Sequence, residues 1–176
     1  MPFLRDSKWI FDTSNGGGAS SGILGVEGGT ITLLEPVTKG KVRFAYGALG
    51  AGFTVGFKIP KLGRLDGYSG SSESMPSYGR VTMNGDFPRD ELTVADINGV
   101  CCFAEANTGI AWGHSGYVLQ FGIHRASFGA GLGSSMLMPI ALNTANGCLM
   151  FHGWNFGMQA GFGGTGYAGY LHAIDD

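Results

Sequence analysis

The chain has 176 residues, 33 of them glycine, with 14% charged side chains and a net charge of −2. Glycine is at roughly two and a half times its usual share and charge at roughly half, yet 44% of the residues are hydrophobic, which excludes a disordered polar tract. The missing Gly-X-Y period excludes collagen, and the slightly acidic balance leaves no bulk attraction to nucleic acid.

Residues 1–18 read as a short arm ending in the linker Gly16-Gly17-Gly18, followed by one glycine-rich domain over 19–176. No apolar signal-peptide segment is visible in "MPFLRDSKWIFDTSNGGG". The expectation is synthesis in the cytoplasm, with any export by a route that reads no cleavable signal. "SGILGVEG" and "GTITLLEP" read as strands separated by a hairpin at Gly28-Gly29. "KVRFAYGAL" and "GFTVGFKIP" follow. Their apolar positions change parity near Gly50-Ala51-Gly52, which predicts a bulge or turn there. Residues 66–79 form a serine- and glycine-rich loop, and "RVTM" reads as a short strand. "DFPRDELTVADI" predicts the one short helix, near 86–96. Asp86 suits a cap, Pro88 a first turn, and Asp90 and Glu91 the positive end of the dipole.

The second half reads as strands again: "GVCCFAEA", "GIAWGHSG", "YVLQFGIH", "SMLMPIAL", "GCLMFHGWNFGMQAGFG" and "GYAGYLHAI". In the longest of these, Cys148, Met150, His152, Trp154, Phe156, Met158, Ala160 and Phe162 share one parity. Gly153, Asn155, Gly157, Gln159, Gly161 and Gly163 share the other. Bulky residues alternating with tiny or polar ones is the period of a strand whose two faces meet different surroundings. Gly153, Gly157 and Gly161 also fit the four-residue spacing of close-packed membrane helices. Glycine at this density costs a helix about 1 kcal/mol per residue, which favours strands. The fold expected is mainly β: one antiparallel barrel or sandwich with a single short helix.

Charge is unevenly distributed. Lys39, Lys41, Arg43, Lys58, Lys61 and Arg64 place six of the eleven basic residues in one segment. From Ala106 to Ile174 the only formally charged side chain is Arg125. Such a stretch either fills a core or meets lipid, a partner or another copy of itself. The basic segment then supplies electrostatic contact to an anionic surface.

"AWGHSGYVLQFG" places His114 beside Ser115 between glycines. A nucleophile elbow needs G-x-S-x-G, and the last position here is Tyr117, so the motif fails. Ser115 shares its parity with Tyr117, Leu119, Phe121 and Ile123, as in a strand interior, and His114 falls on the opposite parity. No metal is expected. Cys148 and His152 are four apart, but there is no C-x-x-C, and His114, His124, His152 and His172 are scattered. Asp86, Asp90, Glu91 and Asp96 suit caps and lack the calcium-loop pattern. Glu105 is the one acid in an apolar strand, a position where burial would raise its pKa. The glycine run lacks a phosphate loop's lysine, and no cofactor is expected. Cys101, Cys102 and Cys148 form an odd set with an adjacent pair, which is not a disulfide framework. Trp112, Trp154, Phe156, Met158 and Phe162 are the candidate ligand or membrane contacts.

"GTITLLEP…VRFAYGALGAGFTVGFKIPKLG" with the later "LTVADINGVCCFAEA" resembles glycine-rich proteins associated with bacterial type VI secretion. The resemblance spans most of the chain and transfers no catalytic residue. It implies an effector loaded from the cytosol, with secretion machinery or a cognate protein as partner. From the single charge between Ala106 and Ile174, the function expected is non-enzymatic and membrane-active or envelope-associated, through lipid contact or self-association. The alternatives are a soluble β-barrel that binds a small apolar ligand near Trp112, Trp154 and Phe156, and a hydrolase using Ser115.

Overall fold

The computed structural model describes residues 3–21, 24–55, 78–110, 112–134, 136–156 and 161–174. Among them, nine strands make one antiparallel sheet. They are β1 (Leu4–Asp6), β2 (Ile10–Ser21), β3 (Leu24–Leu34), β4 (Lys41–Val55), β5 (Tyr78–Asn84), β6 (Gly99–Ile110), β7 (Trp112–Ile123), β8 (Gly147–Phe156) and β9 (Gly161–Ile174). The order across the sheet is β1-β5-β8-β7-β6-β9-β4-β3-β2. Three short helices interrupt the chain: α1 (Val94–Ile97) before β6, then α2 (Arg125–Gly133) and α3 (Met138–Leu142) between β7 and β8.

The sheet curls because consecutive segments of one ribbon hold its two margins. β1 pairs with β5, from Leu4 opposite Asn84 to Asp6 opposite Thr82, whereas β2 pairs with β3 at the far margin. Between them the Ser7 N–H donates to the Val81 carbonyl at 3.2 Å. Arg80 grips the Asp6 carboxylate through Nε and Nη2, both at 2.7 Å. Phe11 of β2 reaches across the seam to stack on Phe151 of β8, centroids 5.4 Å apart. Gly79 makes room for that ring, since a Cβ there would lie 2.6 Å from Phe11 Cγ. Gly79→Val is expected to cost about 1–3 kcal/mol by overpacking, read as a lower denaturant midpoint with an unchanged slope. A cavity of about 300 Å³ remains at this seam, lined by Asp6, Ser7, Trp9, Ile10, Phe11, Gly79, Arg80 and Val81.

Among the described residues, the buried core lies at one end of the curled sheet. Ile31, Leu33, Phe44, Leu119, Phe121, Leu149 and Leu171 are buried there. A layer of rings lies above them: Phe103 is 5.4 Å from Tyr117, 5.9 Å from Tyr46 and Tyr167, and 6.2 Å from Phe151, by centroid. The end below is capped by residues 85–98. Trp9 Nε1 donates to the Leu92 carbonyl at 2.9 Å, and Glu91 accepts from the Ser7 hydroxyl at 2.6 Å and the Lys8 N–H at 2.7 Å. The buried Asp96 carboxylate accepts from the Thr93 N–H at 2.8 Å and its hydroxyl at 2.6 Å, and pairs with Arg89. Gly122, at φ +65°, carries the chain past this cap, where a side chain would strike the Asp96 carbonyl and the Asn146 amide.

The mainly β antiparallel architecture agrees with the sequence, and several local details differ. Gly16-Gly17-Gly18, expected as a linker, lies within β2, opposite Gly29, Gly28 and Glu27. Gly28-Gly29 is interior to β3 instead of a turn, because both flanks find long-range partners in β2 and β4. β4 runs unbroken through Gly50-Ala51-Gly52. The helix expected over 86–96 is only α1, with turns and bends across 85–91. "SMLMPIAL", expected as a strand, yields α3, since Pro139 suits a first helical turn and lacks the N–H a sheet ladder needs. "GIAWGHSG" and "YVLQFGIH" divide at Ala111, leaving β7 continuous across Gly116-Tyr117. The start of the loop at 66–79 lies outside the described residues, and Tyr78 and Gly79 already belong to β5.

Candidate functional site

Strand direction sorts the connections into two sets. The turn at 35–40, the cap at 85–98 and the helical excursion at 124–146 lie at the core end. Residues 22–23, 56–77, 111 and 157–160 connect strands at the opposite end, and their structure lies outside the described residues. In the strand segments leading to that opposite end (13–21, 24–30, 48–55, 104–110, 112–119, 150–156 and 161–168), Glu27 and Glu105 are the only formally charged residues.

The residue types on the core parity change midway along the strands. In β8, buried Leu149 and Phe151 are followed at the same parity by Gly153 and Asn155. In β7, Phe121, Leu119 and Tyr117 are followed by Ser115 and Gly113. β6 passes from Cys101 and Phe103 to Glu105, Asn107 and Gly109, and β4 from Phe44, Tyr46 and Ala48 to Gly50, Gly52 and Thr54. β3 goes from Leu33 and Ile31 to Gly29, Glu27 and Gly25. Five strands thus exchange large apolar residues for small or polar ones at about the same height.

The opposite parity changes the other way. Val26 of β3 is 57% exposed and Leu49, its register partner on β4, is 69% exposed. Val118 and Met150, another register pair, are also exposed. Towards the far end this parity carries Leu24 on β3, Phe53 and Val55 on β4, Trp112 on β7, Trp154 and Phe156 on β8, and Phe162 on β9. Trp112 is opposite Phe156 and His114 opposite Trp154. Trp112, Trp154 and Phe156 therefore stand on the parity of Val118 and Met150, not on that of the core. Met158 lies outside the described residues.

Three of the six basic residues of the 39–64 segment lie among the described residues. Lys39 is exposed in the core-end turn at φ +58°. Lys41 pairs with Asp12 at 2.9 Å, and exposed Arg43 is also engaged. Lys58, Lys61 and Arg64 belong to 56–77, beyond the far end of β4 and outside the described residues.

The candidate chemistries are not assembled among the described residues. Ser115 occupies a strand position opposite Gly153 and Asn107, not a strand-to-helix turn, and His114 is on the other parity. No group of three or more His, Cys, Asp or Glu residues capable of holding a metal occurs among the described residues, and no helix among them is long and apolar enough to cross a membrane. All three cysteines are free. Burial pushes Cys101 from 9.0 up to about 12, with Cys102 adding to the effect, and pushes Cys102 and Cys148 to about 11. Below pH 9 the thiols are protonated in both folded and unfolded chain, so this source of stability is intact. As pH rises from 9 towards 11–12 the unfolded chain loses its protons first and stability falls. Urea midpoints are expected to drop between pH 8 and about pH 10.5, and less so in Cys101→Ala. An unchanged drop in that variant would remove Cys101 as a source.

The chain is 32% identical to the toxin protein Tse4 of Pseudomonas aeruginosa over 187 aligned residues, covering 96% of this chain and 95% of that protein. It belongs to the Tse4 toxin family. No family model matches the chain, and no solved structure matches it. The match to Tse4 carries the resemblance to proteins of type VI secretion over nearly the whole chain.

Proposed function

We propose that this toxin acts physically on a lipid membrane, without a catalytic step, by seating the charge-poor end of its curled sheet in the bilayer. The observation that carries this reading is the exchange of residue classes. At the core end, the enclosed parity is bulky and apolar, as in any water-soluble protein. Beyond the aromatic layer, that parity becomes glycine, serine, threonine and asparagine with Glu27 and Glu105, while the outer parity gains apolar residues. Small and polar inside with apolar outside is the pattern of strands that meet lipid. Within the sheet β3, β4, β9, β6 and β7 are paired on both sides, which satisfies their backbone groups between neighbours as a bilayer requires.

Contact with delivery machinery or a cognate protein is part of the same proposal, as the role of a secreted toxin implies. A binding pocket inside the barrel at Trp112, Trp154 and Phe156 finds no support in their parity. The test is dye leakage from anionic vesicles. The full chain is expected to release dye, and Ser115→Ala is expected to release it at the same rate. A wild-type chain that leaves vesicles intact sinks the proposal, and loss of toxicity in Ser115→Ala with leakage unchanged would return the hydrolase.

A further inference from the structure

The pair α2–α3 lies on the outer surface of the sheet, and its two sides are unlike. One side buries Phe128 with Ile123 and Ala145, against Cys102 and Ala168 among others. The other side is bare: Leu132 is 63% exposed, Met136 84% and Ile140 60%, with Leu137 also exposed. Four large apolar side chains in nine residues, all in solvent, are not accounted for by the packing of the fold.

Register places this patch in a larger surface. Cys102 is paired with Ala168, Ala168 with Leu49, and Leu49 with Val26. One row across the sheet therefore runs from the bare Val26 and Leu49 directly beneath the helix pair. The exposed side of α2–α3 continues the apolar outer face of the sheet as a collar at the level where that face begins.

The charge of the collar is equally one-sided. Arg125, which opens α2, is the only formally charged residue between Ala106 and Ile174. Its guanidinium donates to the Tyr170 hydroxyl at 2.9 Å and lies 5.4 Å from that ring. Among the described residues no carboxylate pairs with it. An apolar helical surface with an uncompensated arginine, an exposed tyrosine beside it and no acid complements an anionic phospholipid surface.

We infer that α2–α3 is the docking surface for an anionic bilayer, lying in the interfacial plane with Leu132, Met136, Leu137 and Ile140 among the upper acyl chains and Arg125 at the phosphates. This inference rests on the membrane reading above. It adds that the helical collar, rather than the strands alone, makes the contact with lipid that precedes insertion. The lipid surface is preferred to a second copy because the patch offers another copy no opposite charge to pair with.

The experiment is flotation of the full chain with vesicles of phosphatidylcholine, with and without about one third phosphatidylglycerol. Wild type is expected to float with the anionic vesicles. Leu132→Asp/Ile140→Asp is expected to lower binding at least about tenfold, and Arg125→Gln about fivefold on anionic vesicles only. A polarity-sensitive dye on Ile140→Cys is expected to shift to the blue on adding vesicles, whereas the same dye on Val37→Cys, exposed at the core-end turn, is not. If wild type does not float, both the membrane reading and the collar fall. If wild type floats and the double variant floats equally, or the dye at 140 does not shift, the collar falls while the membrane reading stands. A wild-type dimer in lipid-free buffer that the double variant abolishes would assign the patch to a second copy and overturn the inference.

Discussion

Leu49→Asp/Val118→Asp is expected to reduce vesicle leakage at least tenfold while leaving the protein folded. Both residues are exposed on the outer parity of central strands, where a surface substitution in water changes stability by about 0.5 kcal/mol or less. In contact with hydrocarbon, the same two carboxylates would cost roughly 1–3 kcal/mol each. About 1.4 kcal/mol corresponds to one factor of ten, so two such charges produce a loss well outside assay error. Urea melts and near-ultraviolet circular dichroism check the fold. A variant that melts like wild type and also leaks like wild type would show that this outer face never meets lipid.

Phe103→Ala carries the largest expected effect on stability, a loss of about 3–5 kcal/mol. Phe103 is buried at the centre of the ring layer and touches Tyr46, Tyr117, Phe151 and Tyr167. These rings come from β4, β7, β8 and β9, so the cavity left behind would be lined by side chains from four strands that cannot all relax inward. For a chain of this length the loss corresponds to a melting point lower by roughly 6–20 °C. Phe103→Leu, which keeps most of the apolar volume, is expected to recover more than half of it. Equal melting points for Phe103→Ala and wild type would mean that the layer does not bind the two halves of the sheet together.

Both predictions depend on knowing which parity is enclosed, and that could be read from the sequence only in part. The alternation around Ser115 correctly indicates a strand interior, because Tyr117, Leu119 and Phe121 recur every second residue and β7 is indeed continuous there. The alternation in "GCLMFHGWNFGMQAGFG" shows two unlike faces, yet its bulky parity is the outer one. Leu149 and Phe151 are buried, whereas Met150 and His152 are exposed. The exposed collar on α2–α3 was hidden because "SMLMPIAL" reads as an apolar strand. Its signal was Pro139, which ends a ladder and begins a helical turn.

By itself the sequence determined the strand character, the charge-poor half, the unpaired thiols and the likeness to secreted toxins. These are local or compositional properties: a two-residue period, a count of ionisable groups, a set of spacings. Tertiary structure alone decided that Gly28-Gly29 is a strand interior and that β6 sits between β7 and β9. Alternation defines two faces but carries no sign. Only the curl of the sheet, fixed by pairing between segments far apart in the chain, determines which face is enclosed.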